Sequence, residues 1–338
     1  MNTIKELDDF MSNPSKRLIE DIKKIDGDIM VLGAGGKMGP TLCKLTANAI
    51  KHADIDKKVY AVSRFSDQSH VDDLMSYGII VIKADLLEND QLEALPDIKN
   101  IIYMAGRKFG TSDDQSLTWA MNAYLPGRVA DKFRKSRIVV FSTGNVYPFV
   151  KVKSNGCLET DPVGPVGIYA QSCLGRENVF RYFSNKYKTP MLFYRLNYAI
   201  DLRYGVLLEV AKAVYNNQPL DITSSHANII WQGDANESAI RCLLHCSYPP
   251  EILNVTGKEM IRLKTVAEKF GKLFDKAPVF IGEESDECLL SNASKSIEWF
   301  GENLVTVDDM IAMIADWVKK GGQTIDKPTH FQERKGNF

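Results

Sequence analysis

A glycine cluster, GAGGKMG at residues 33–39, is the first place where residue type and spacing could do chemistry. Gly33, Gly36 and Gly39 follow G-x-x-G-x-x-G; the stricter G-x-G-x-x-G begun by Gly33 and Gly35 would need a glycine where Met38 stands. Bare backbone at the start of a helix presents N–H groups to a pyrophosphate. The turn therefore reads as a dinucleotide cradle made by Gly33, Gly35, Gly36, Lys37, Met38 and Gly39, against a ligand-free strand-to-helix turn as the plainer reading. At the next strand end, Ser63 and Arg64 stand where an acidic side chain would grip the ribose diol of NAD. A serine and a guanidinium suit a 2′-phosphate, which favours NADP; the alternative is a solvated arginine. Asp85 and Leu86 are candidates to bond and pack on the adenine. Arg107 and Lys108 follow a fourth apolar run and are expected at the edge where cofactor and substrate meet, or else form an exposed loop pair. Arg195 and Arg203 could each hold a carboxylate or phosphate, with a buried ion pair as the rival reading for Arg195. Cys242, His245 and Cys246 lack a fourth ligand and read as the end of an amphipathic helix, so no metal is expected. The other histidines are isolated, which leaves no Ser-His-Asp relay.

These groups need elements to position them. Strand-like segments at 28–32, 59–63, 79–83, 100–104, 137–142 and 191–196 alternate with helical patterns at 38–52, 71–77, 114–135 and 169–186. Such alternation argues for a parallel, doubly wound sheet. Residues 1–27 read as a polar segment followed by a helix, with Ser12-Asn13-Pro14 as its cap. Past residue 197 come helices at 205–216, 236–246, 263–274 and 307–319, and strands at 228–232, 252–256 and 278–281. The expected organisation is an extension (1–27), a dinucleotide-binding domain (28–197, with return segments near 228–246), and a mainly substrate-binding part with a charged tail (198–338).

Three further stretches, FSTGNVYPF (141–149), GIYAQSCLGRE (167–177) and MLFYRLNYAIDLRYG (191–205), complete an ordered set with the glycine turn, IIYMAG (101–106) and WQGDANESAI (231–240). Together they resemble the extended short-chain dehydrogenase/reductase family, the NAD(P)-dependent sugar epimerases and dehydratases. The resemblance implies an α/β fold, a Rossmann-type doubly wound parallel sheet with a smaller interleaved C-terminal α/β substrate domain. It also implies redox chemistry or epimerisation at a secondary alcohol or ketone of a carbohydrate-like substrate. Tyr169 maps to the family's general acid/base and Thr143 to the group that holds the reacting oxygen. Ala105, Gly106, Asn122 and Tyr169 join the cofactor contacts, and Arg107, Lys108, Asn145, Asn197 and Arg203 the substrate contacts. The departure is Cys173, which stands where the family's Y-x-x-x-K motif has lysine. A tyrosine ionises near pH 10 and needs a nearby positive charge to act as a base. Three readings follow: another cation such as Arg107 or Lys108 substitutes; Tyr169 only donates a hydrogen bond, with Cys173 a participant or a small core residue; or the protein is a non-catalytic dinucleotide-binding regulator. Helices 114–135 and 169–186 are a lead toward a homodimer.

Bulk properties narrow the partners. In 338 residues, 42 Lys and Arg oppose 43 Asp and Glu, which removes the electrostatic footprint of a nucleic-acid binder. No apolar run approaches the roughly 20 residues of a membrane-spanning helix, and the charged N-terminus has no secretory h-region. Six scattered cysteines read as reduced thiols of a cytoplasmic protein.

Overall fold

The short apolar runs lie side by side in one parallel sheet, in a computed structural model that describes residues 1–108, 110–111 and 113–336. Its strands are β1 (Ile29–Leu32), β2 (Val59–Ser63), β3 (Ile80–Lys83), β4 (Asn100–Tyr103), β5 (Arg137–Thr143), β6 (Met191–Leu196) and β7 (Glu251–Val255). They run in the order β7-β6-β5-β4-β1-β2-β3, with every pair parallel. β1 and β4 are buried at every residue, which is why they read as unbroken apolar runs. The chain starts in the middle, winds out to β3, then returns to β4, so a crevice opens at the carboxyl ends of β1 and β4.

The helices that matter here are α1 (Ile4–Met11), α2 (Lys16–Lys24), α3 (Gly39–His52), α4 (Leu125–Lys132), α5 (Gly167–Tyr187), α6 (Val206–Tyr215), α7 (Gln232–Arg241), α8 (Leu263–Phe274) and α9 (Val307–Lys319), with other helical segments, Gln68–Ser76 among them, between. Strand alternation sorts the core. Ile29 and Val31 pack with α2, α3 and α7 through Ile22, Leu42 and Ala239, whereas Met30 and Leu32 pack with α4 and α5 through Val129 and Phe180. A third cluster joins α6, α8 and α9 to Leu7 and Met11 of α1 and to Phe331 of the tail.

Four elements differ from the sequence expectation. The polar N-terminal segment forms α1, capped by Thr3, because Leu7 and Met11 are buried. The cap of α2 is Ser15, whose Oγ accepts from the Leu18 N–H at 3.1 Å, while Ser12 turns back to Asp8 O. The helix expected over 114–135 is broken by a π-helical stretch, Ala120–Tyr124. β7 lies beyond the return segments expected near 228–246 and pairs with β6. All six cysteines are unpaired, and no described helix is long and apolar enough to cross a membrane.

Candidate active site

The glycine turn links β1 to α3 and needs its glycines for two close approaches. Gly33 sits at φ +92°, and a Cβ there would lie 2.6 Å from the Ala105 backbone N. A Cβ on Gly39 would lie 2.2 Å from Ala34 O. Gly36 differs: a Cβ would meet only Gly33 O, at 3.4 Å, so its outer side is open. The N–H groups of Gly33 and Ala34 both bond Val62 O, those of Gly36 and Gly39 bond within the turn, and α3 carries no side-chain cap. Among the described residues, no acceptor is recorded for the N–H groups of Gly35, Lys37 and Met38. Uncommitted donors at the positive end of a helix fit an anionic pyrophosphate.

Around this turn the expected contacts divide. Ser63 packs at Gly35, where a Cβ would lie 2.7 Å from its Oγ. Arg64 is 76% exposed, with Nη1 3.8 Å from Asp85. Asp85 also accepts from the Leu87 N–H at 3.0 Å. Leu86 is a correction: it is 6% exposed and belongs to the core beneath the sheet. Asn122 is another, with no exposed surface. Its Oδ1 accepts from the Arg107 N–H and from Arg176 Nη2, each at 2.8 Å, and its Nδ2 donates to Arg107 O and Ser172 Oγ. It ties the loop after β4 to α5 and has nothing left for a cofactor.

The first turn of α5 carries Tyr169 to the carboxyl end of β5, where Thr143 ends the strand. The Tyr169 hydroxyl interacts with Thr143 and with the Cys173 thiol. Thr143 Oγ1 also lies 3.0 Å from Asn145 Oδ1, so Thr143, Asn145 and Tyr169 form one group. Burial, reinforced by the neighbouring thiol, holds Tyr169 well above the ordinary tyrosine range, while Arg176 pulls it back. Cys173 is 1% exposed and burial pushes its thiol up, so it is no nucleophile. Asn197 is 2% exposed with its Nδ2 unsatisfied, and Ser291 Oγ nearby is likewise unsatisfied.

The expected cations are mostly committed. Arg195 proves to be the buried ion pair: its Nη2 lies 2.7 Å from Glu177 Oε2, with side chains 3% and 1% exposed. Arg203, expected on the substrate, pairs instead with Asp201 at 3.0 Å and with Asp8 of α1 at 3.2 Å. Lys37 crosses from the glycine turn to Ala199 O at 3.2 Å and to Asp201 at 3.8 Å, and burial draws it down to about 8. Arg107 bonds Gly110 O at 2.8 Å. Lys108 reaches the Tyr204 hydroxyl at 3.4 Å, faces Glu209 and Cys173, and is drawn down to about 8 by burial. Asp201 and Glu209 were missed by sequence reasoning, as was Arg176; nothing about their types sets them apart until the fold is known.

The tail closes over this cleft. Ile325 N bonds Arg203 O, Thr329 N bonds Glu209, Arg334 Nη1 bonds Glu287 O, and Gly336 lies against Gly167 at the start of α5. Beneath it is a small hollow lined by Asn145, Tyr147, Tyr198 and Glu333 among others. A second hollow, by Arg17, Asp234 and Phe300, shares none of the residues above.

Residues 29–200 match the family model described as the NAD dependent epimerase/dehydratase family. The chain belongs to that family, whose members are NAD-dependent enzymes of the epimerase/oxidoreductase class. No curated protein matches it. Solved structures with the same fold include a UDP-glucuronic acid 4-epimerase from Bacillus cereus in complex with UDP-glucuronic acid and NAD, 18% identical, with TM-score 0.71 over 87% of this chain and 99% of that one. The UDP-glucose 4-epimerase of Thermus thermophilus in complex with NAD is 17% identical, with TM-score 0.69 over 86% and 99%. A UDP-glucose 4-epimerase from Thermotoga maritima with UDP-glucose is 14% identical, with TM-score 0.68 over 87% and 99%.

Proposed function

We propose that the protein is an NAD(P)-dependent oxidoreductase or epimerase acting on a secondary alcohol or ketone of a carbohydrate-like substrate. The observation that carries this reading is the Tyr169–Thr143 pair at the sheet's carboxyl edge, beside a glycine turn with uncommitted N–H groups. Gly35, Lys37 and Met38 would hold the pyrophosphate, and the tip of β2 the adenosine ribose. A bound nicotinamide dinucleotide supplies the acceptor and donor of hydride. Tyr169 in its ionised form takes the hydroxyl proton as the carbon–oxygen double bond forms, and the phenol returns it to the oxygen in the reverse direction, so the reaction needs a cation that stabilises the phenolate. Thr143 Oγ1 holds that oxygen, and Asn145 and Asn197 orient the adjoining hydroxyls. The test is Tyr169→Phe assayed with NAD and NADP on UDP-glucuronic acid, UDP-glucose and simple sugar acids. Activity should fall by at least about a hundredfold; an unchanged rate would sink the assignment.

NADP is the preferred cofactor on this reading, supported by Ser63 and the exposed Arg64 at the tip of β2. Calorimetry showing NAD bound as tightly as NADP would refute it. The sheet and its helices (28–197) are the cofactor-binding part and the later segments the substrate-binding part. Leu117, Trp119, Tyr124 and Tyr182 are all exposed, which supports a homodimer through these helices. Six unpaired thiols are consistent with a cytoplasmic protein.

One observation favours a second reading, a non-catalytic dinucleotide-binding regulator: position 173 carries a buried thiol instead of a cation. Tight NADP(H) binding with no reduction of bound cofactor by any sugar or sugar acid would favour it.

A further inference from the structure

Tyr169, Cys173 and Arg176 lie four and three residues apart on α5, and so share one stripe of the helix. Long side chains on a helix lean toward its N-terminus, so Arg176 extends back past the small Cys173 toward Tyr169. The guanidinium is set in an unusual way. Arg176 is 6% exposed, donates from Nη1 to Phe141 O and from Nη2 to Asn122 Oδ1, each at 2.8 Å, and stands over the Tyr103 ring at 5.9 Å. Both acceptors are neutral. Among the described residues it makes no ion pair, because the adjacent Glu177 is committed to Arg195 and Ser142. Its Nε is buried and unsatisfied. A cation buried without an anion is costly and is kept where something compensates. Gly106 has been cleared for it, since a Cβ there would lie 2.3 Å from Nη2.

We propose that Arg176 is the positioning cation for Tyr169, supplying from two turns along α5 the positive charge that Cys173 does not provide. The inference rests on Tyr169 as the acid/base. The groups that face this centre are Cys173 and Glu177 on the same helix, Tyr103 from β4, and Lys108 from the loop after β4, which acts on Cys173. Lys108 reaches Tyr204 and faces Glu209, and Arg176 acts on Tyr169 directly. Cysteine at 173 is then part of the device: a longer side chain would stand in the path of the guanidinium.

The test reads the phenol itself and needs no substrate. With difluorotyrosine placed at position 169, a phenol that ionises below tyrosine, fluorine NMR follows its titration. The midpoint should rise by about one unit or more in Arg176→Met, rise less in Arg176→Lys, and return when Cys173→Lys is added to Arg176→Met. A purely structural arginine would not order the midpoints by charge. Should Arg176→Met fail to fold, Arg176→Lys and Arg176→Gln, which keep a donor for Phe141 O and differ in charge, make the same comparison. Equal midpoints in folded variants overturn the proposal. If Tyr169→Phe retains full activity, the acid/base reading fails even where the titration succeeds, so the two failures are distinguishable.

Discussion

Lys37 is pulled in two directions. Burial lowers its proton affinity to about 8, while Asp201 favours the cation. Above that pH the side chain loses its charge, and a pyrophosphate on the neighbouring N–H groups would restore it, so binding takes up a proton. Dinucleotide affinity should therefore weaken between pH 7 and pH 9. In Lys37→Met it should be lower and nearly flat across that range; calorimetry at both pH values decides, and a slope that survives in the variant points to another group. Glu177 presents the opposite case, a charge kept only for its partner. Glu177→Gln leaves Arg195 buried beside Tyr147 with no carboxylate, and should cost about 3–5 kcal/mol in urea unfolding. At this scale the sequence was least legible. It named Tyr169, Thr143 and Cys173, yet Arg176 and Asn122 take their roles from whichever neighbour the fold supplies. The sequence offered a buried ion pair for Arg195 but not for Arg203, whose carboxylates, Asp201 and Asp8, only the fold brings beside it.

Elements were read more closely than residues, because burial periodicity and caps are local. β2, β6, α8 and α9 have the bounds their patterns indicate. Two of the misses share a cause. α1 is held by contacts with a distant part of the chain, and the π-helical stretch at Ala120–Tyr124 carries Asn122 into its hydrogen bonds with Arg107 and Arg176. Neither signal is local. The glycine turn allows a test that separates fold from binding. Gly39→Ala forces a Cβ into the Ala34 carbonyl and should destabilise by about 1–3 kcal/mol. Gly36→Ala meets only Gly33 O at 3.4 Å, so the melting temperature should hold while NAD(P) binding weakens. If Gly36→Ala binds dinucleotide normally, the cradle does not run past that residue.

For the molecule as a whole, two surfaces carry expectations. Trp119→Glu with Tyr182→Glu, both at exposed positions, should shift the proposed homodimer to monomer in light scattering without changing the melting temperature of the subunit, and a wild-type protein that scatters as a monomer overturns the dimer. The charged tail wraps the body as far as it is described. Phe331 and Thr329 are buried there, so deleting residues 324–338 should lower the melting temperature by a few degrees. The near-zero net charge also looks different once the ion pairs are placed. Lys44, Asp8, Arg203, Asp201 and Lys37 alternate in sign along a line from α3, through the N-terminal extension and the later segments, to the glycine turn. Trimming the chain to where its family match begins would cut that line at Asp8. Arg203 and Lys44 would each lose a counter-charge, and the turn proposed to hold the cofactor would be held by a lopsided set of charges. Anyone preparing a shortened version for crystals or assays should expect a different protein, not a tidier one.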